Sequence, residues 1–402
     1  MNQSAPLDVG SGAPGRIAAV HAQTRPGLLV AVAFTVVALV LAVVGLGTGW
    51  WLPLHVFVVG GLLGAIAATT QMLAVTWSTA PAPRPVVAAV QRWALAAGAA
   101  ALVIGRETER TWLFVAGGIT VVVAMLGLAV ILIQVRQRAV TDRFAPAIES
   151  YVAAVVIGSI GMSIGILLGT GHVGTRIAEF RATHLILNVF GLVGLIIAGT
   201  LPYFAATQVR SKMSPRATPT ALRAMLFGLV TATAVAATGA FLDRPGVSAV
   251  GLFAYVVGLL SIAAMLPVYS RKRLKWAGPR LLQLMAGILW WAAMAAGLAV
   301  VGRHGTDDSR VLQALVVGGF AQIFVASLAY LGPVLRGGGH QRLTAGFALT
   351  RSWVSLVAGN VAPVAALVGS RPLLAVALGV WMIDIVARSA VLLAGIRGAA
   401  QG

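Results

Sequence analysis

His184, Asn188 and Gly191 stand at i, i+4 and i+7 in the apolar run from His184 to Thr207. On a helix this spacing stacks an imidazole, an amide and a gap without a side chain along one stripe. A second histidine opens another apolar run, His55-Val-Phe-Val-Val-Gly-Gly-Leu-Leu-Gly. Polar groups this far into a hydrocarbon-length segment are costly in lipid and should face protein or a ligand. Two uses suit the pair His184 and Asn188: a helix cap with an interhelical amide bond, or a place for a bound cofactor. The chain has no cysteine. Thiolate metal sites, disulfides and iron–sulfur ligation by cysteine are thereby excluded, whereas haem or copper held by histidine is not.

Other polar candidates are sparse. Asp384 and Arg388 stand at i, i+4 in the last apolar run, a spacing that suits an intramembrane ion pair or a step in an ion pathway. Gln71, Gln283 and Gln322 suit interhelical hydrogen bonds, and Asn360 with Pro363 is expected to break its span. His21, His172, His304 and His340 fall in expected loops, where solvated side chains are the ordinary outcome. A four-histidine site joining His172 and His304 to His55 and His184 is conceivable on one side of the membrane. A phosphate loop with lysine is not present.

The elements that must position these groups are legible from composition. The chain is 59% hydrophobic and 10% charged, with a mean hydropathy of +0.94. Repeated apolar runs of about 20 residues mean an all-α, polytopic membrane bundle. The runs fall at residues 27–47, 52–77, 86–105, 112–134, 150–169, 184–206, 224–241, 249–269, 281–301, 311–331, 352–369 and 373–395. That predicts about twelve spans in a single transmembrane domain, 27–395, between a polar N-terminal tail, 1–26, and a short C-terminal tail, 396–402. Gln91 and Arg92 interrupt the third.

The net charge of +19 lies in short loops, which is an orientation signal rather than a nucleic-acid surface. Alternate loops divide Lys and Arg roughly 20 to 8, which predicts cytoplasmic termini. Heavy use of Ala, Gly, Val and Arg with little Lys resembles a GC-rich, actinobacterial genome and so a bacterial inner membrane. Glu107, Glu109, Glu179, Asp243, Asp307 and Asp308 fall on the opposite side. Trp50, Trp51, Trp77 and Trp276 suit interfacial belts, and the run Ser270-Arg-Lys-Arg-Leu-Lys-Trp suits anionic headgroups.

Three spans resemble one another. Val58-Val-Gly-Gly aligns with Val316-Val-Gly-Gly, which places Gln313 where His55 stands, and Gly191-Leu-Val-Gly matches the same region with a short insertion before it. Spans two, six and ten run in the same direction. Three parallel four-helix units with pseudo-threefold symmetry are therefore expected. Gly60 and Gly64 have a spacing that allows close helix contact.

Twelve spans in three arcs, with Trp51-Leu-Pro-Leu-His55 and His184-Leu-Ile-Leu-Asn188 at matching ends, resemble haem–copper oxidase subunit I. The chain is more closely similar to NnrS-type membrane proteins and to the membrane part attached to some copper nitrite reductases. The resemblance implies haem or copper near the outer face, with His55 and His184 as metal ligands, Asn188 and Gln313 lining the cofactor, and a redox partner protein beside the lipid bilayer. It departs from the oxidase pattern in three places. Gln313 replaces a histidine on the tenth span, the seventh span has no histidine pair, and no tyrosine follows His184 at a cross-linking distance. A complete oxidase is not expected. A secondary transporter of a small solute, or a cofactor-free scaffold subunit, are the other functions such a chain could serve.

Overall fold

The computed structural model of the chain describes residues 13–47, 49–304, 308–337 and 339–397. All regular elements among them are helical. Eleven helices are long and apolar enough to cross a membrane, and a bent pair raises the number to as many as 12. The protein is an all-α polytopic membrane bundle.

The spans are α1 (Ala13–Val44), α2 (Trp51–Ser78), α3 (Pro85–Glu107), α4 (Thr111–Gln137), α5 (Ala145–Gly169) and α6 (Ile177–Gln208). They continue as α7 (Pro219–Phe241), α8 (Pro245–Ala264), α9 (Pro279–His304), α10 (Ser309–Arg336), α11 (Trp353–Val368) and α12 (Arg371–Arg397). Short helices Arg271–Ala277 and Gly339–Leu349 precede α9 and α11. Proline stands in the first turn of α3, α5, α7 and α8, where its missing N–H has no helical partner to lose. Thr218 and Ser352 cap α7 and α11 by accepting the amides of Ala221 and Ser355.

Several expectations shift. α1 begins at Ala13 and runs through Pro26, so most of the expected N-terminal tail is helix. Residues 1–12 and 398–402 of the two tails lie outside the described residues. α3 is unbroken at Gln91 and Arg92, because Arg92 Nη1 donates to Gln23 O on α1 at 3.0 Å and Gln91 is bonded on both sides. α11 is continuous through Asn360 and Pro363. The bend of 41° comes earlier, between His340–Leu349 and α11, where the extended backbone of Ser352 starts a new helix. Pro363 is accommodated against Gly318 of α10.

The helices pack in a repeating order. α1 lies on α2, α5 on α6 and α9 on α10, and α3–α4, α7–α8 and α11–α12 form antiparallel pairs. The units join in a ring, α4 to α5, α8 to α9 and α12 back to α1. α2, α6 and α10 are the most enclosed, with 61%, 67% and 61% of their most apolar stretches buried against at most 50% for any other of the eleven spans. Aromatic pairs tie these three inner helices together: Phe57–Phe324 at 6.0 Å, Trp77–Tyr203 at 5.2 Å and Phe204–Tyr330 at 5.5 Å.

Each inner helix also widens once into a π-helical stretch, Val56–Leu62, Leu187–Gly194 and Leu315–Ala321. The matching glycines meet matching helices. A methyl on Gly61 would come 2.6 Å from Thr35 Oγ1 of α1, one on Gly191 2.4 Å from Ile157 of α5, and one on Gly319 3.3 Å from Trp291 of α9. The sequence repeat and the packing repeat thus coincide.

Candidate functional site

His55 is the last residue before the π-helical stretch of α2, and His184 lies just ahead of the one in α6. The local geometry of each ring fixes its proton. His55 Nδ1 is 2.8 Å from the Trp51 carbonyl one turn back. A carbonyl can only accept, so Nδ1 carries the hydrogen and Nε2 keeps its lone pair. The same holds for His184, whose Nδ1 donates across to the Gly161 carbonyl of α5 at 2.7 Å. Such a bond from the remote ring nitrogen to a backbone oxygen is how ligating histidines are oriented.

Packing holds both rings in place. The His55 imidazole stacks on Trp51, 4.2 Å between centroids, and Arg106 lies 5.8 Å over the other ring system. Trp51 is thus a direct neighbour of His55. Gly165 leaves the notch that His184 fills, since a methyl there would sit 2.5 Å from Cε1. Both imidazoles are half-buried and lie at one end of the inner helices, the histidine-bearing end.

Asn188 is committed locally. Its Nδ2 donates to the His184 carbonyl at 2.8 Å and packs against Gly161. Gln313 is half-buried at the equivalent place on α10, and no hydrogen bond joins it to either imidazole among the described residues. Arg181 reaches from α6 to Asp308 beside the start of α10 at 3.2 Å.

Among the described residues the remaining histidines do not converge. His21 lies within α1 rather than a loop, and His340 opens the short helix before α11. His172 sits in an exposed turn with Nδ1 2.8 Å from Thr170 Oγ1. The side chain of His304, and Asp307, lie outside the described residues. Among the described residues no three His, Asp or Glu side chains gather where they could hold a metal ion. What α2 and α6 offer at this end is therefore one imidazole Nε2 lone pair each, with no gathered ligand set among the described residues.

Elsewhere several intramembrane polar groups are bonded to one another. Gln71 Nε2 donates to Gln91 Oε1 at 3.2 Å, and Gln91 Nε2 to the Ala124 carbonyl at 3.2 Å. In the third unit Trp290 Nε1 donates to Asn360 Oδ1 at 2.9 Å, and Gln283 Nε2 to Ser355 Oγ at 3.1 Å. The expected ion pair is formed, Arg388 Nε to Asp384 Oδ1 at 2.8 Å.

Sequence reasoning missed the part played by Trp51 and Arg106. The signal for Trp51 was its i, i+4 spacing to His55; Arg106 is brought in only by the helical hairpin α3–α4. Fold and site together define a multi-pass helical membrane protein with two oriented imidazoles at one end of its inner helices. No family model matches the sequence, and none of the curated proteins compared with it does.

Proposed function

We propose that the protein is a bacterial inner-membrane component of the NnrS-like and haem–copper oxidase-like kind, with both termini cytoplasmic. In this reading His55 and His184 hold haem iron or copper through Nε2 near the extracytoplasmic face. When bound, that group would supply electron transfer or nitrogen-oxide binding, in company with a redox partner protein. The observation that carries the reading is the pair of Nδ1–H bonds to the Trp51 and Gly161 carbonyls, which leaves the Nε2 of each imidazole unprotonated on adjacent inner helices. The protein's own residues orient the rings: Trp51 stacks on one, and the Gly161–Gly165 notch receives the other. A solute transporter would instead need uncommitted polar groups at mid-membrane, and Asp384 is committed to Arg388.

The test is an optical spectrum with metal analysis of protein purified from cells supplied with haem and copper. The expected result is a Soret band or stoichiometric copper that His55→Ala and His184→Ala each remove. Absence of both in folded wild-type protein overturns the reading. A stably co-purifying protein in the metal-free sample would then favour a scaffold role, and solute uptake by proteoliposomes would favour transport.

A further inference from the structure

At the opposite end of the bundle lies a charge without a counter-charge. The Arg280 side chain, at the start of α9, is 1% exposed. Among the described residues its Nη2 reaches only the Gln208 carbonyl, at 3.5 Å, and Nε and Nη1 have no partner. Gln208, the last residue of α6, is 0% exposed, and neither atom of its amide is bonded. Arg351 Nε, in the bend before α11, is also buried and unpartnered.

Buried polar atoms are almost always bonded, and a buried cation is normally paired with an anion. Here the charged groups acting on Arg280 are Arg351 and Arg210, both cationic, with the neutral phenol of Tyr330. None of these three arginines takes part in a salt bridge among the described residues. Instead they crowd one indole. Arg210, Arg280 and Arg351 lie 4.4, 5.4 and 5.9 Å from the Trp276 ring. Phe347 and Tyr330 add faces 4.8 and 5.2 Å from Arg280. Ring faces attract a guanidinium but accept few of its N–H donors. Arg210 is exposed, which opens the cluster to the surface.

We propose that this cluster is a binding site for a phosphate-type oxyanion, with Arg280 and the Gln208 amide as its floor, Arg351 at its side and Arg210 at its mouth. Guanidinium forks match phosphate oxygens in pairs, and the Gln208 amide supplies a donor for a further oxygen. The same chemistry is offered by a phospholipid headgroup and by free phosphate. The site stands apart from the histidines, so its test does not depend on haem or copper.

The protein is reconstituted in phosphatidylcholine nanodiscs, with and without inorganic phosphate, and in nanodiscs containing phosphatidylglycerol. Thermal unfolding and retained lipid are then measured. A melting rise with inorganic phosphate in phosphatidylcholine assigns a soluble anion. A rise and retained phosphatidylglycerol without any response to phosphate assigns a lipid headgroup. Arg210→Gln, at the exposed mouth, and Arg351→Gln, at the half-buried side, should each weaken the response at least tenfold while the protein still folds. Arg223→Gln, which removes one of the two Glu149 partners at the same end, serves as the control. The proposal is overturned if neither anion raises the melting temperature, or if Arg223→Gln weakens the response as much as the other two.

Discussion

Asp384 accepts a 2.8 Å hydrogen bond from Arg388 Nε one turn along α12, and Arg388 Nη1 also donates to the Leu349 carbonyl ahead of α11. The pair therefore pins the last helix to the bend before its neighbour. Asp384 is the more buried partner, with its side chain 10% exposed against 30% for Arg388. Asp384→Asn leaves a guanidinium in a low-dielectric setting. It is expected to cost about 2 kcal/mol after allowing for the arginine's partial exposure. The double variant Asp384→Leu, Arg388→Leu should recover part of that loss. Thermal unfolding in detergent checks both.

The wide turn of α2 gives a second prediction. A methyl on Gly60 would lie 2.2 Å from the Phe34 ring, whereas one on Gly64 would rest 3.5 Å from Ala31. Gly60→Ala should destabilise by about 1–3 kcal/mol through overpacking. Gly64→Ala, at ordinary contact distance, should leave the melting temperature nearly unchanged. Equal losses at the two positions would show that α1 and α2 pack differently.

The amide chain Gln71–Gln91–Ala124 links α2, α3 and α4. Gln91→Leu strands the Gln71 amide and should cost about 1–3 kcal/mol, while Gln71→Leu with Gln91→Leu should cost less than the sum of the single changes. A double-mutant cycle on unfolding free energies measures the coupling.

The last prediction rests on the proposed metal or haem. Gly165→Ala would press on His184 Cε1 at 2.5 Å without removing a ligand. Bound metal or haem affinity should fall by about 10- to 100-fold, as for other changes that disturb the support of a ligating histidine. Metal analysis against a titrated chelator reads the shift.

Much of the fold was legible because the bilayer imposes length and apolarity on each span, and because Val-Val-Gly-Gly recurs where inner helices must meet outer ones. Gln71, Gln283 and Asp384 found partners across or along helices, as spacing and lipid cost require. What could not be read depends on tertiary contact. Asn360 and Pro363 looked like a break, yet Gly318 and Trp290 of neighbouring helices support α11 there. Trp276 looked like a belt residue, yet three arginines from separate segments converge on it. The π-helical stretches leave no mark in apolar periodicity, since glycine and valine serve an α-turn and a wider turn alike. For the candidate site, the two histidines were visible, but the carbonyls that set their protons were not.

The closure of α12 onto α1 has a topological consequence. A ring of three equivalent arcs has no seam dictated by its packing, and an even number of crossings would return both chain ends to the same surface. Cutting the loop between α4 and α5 and tethering the old ends would leave each arc with the same neighbours. Such a rearranged chain should assemble into the same bundle.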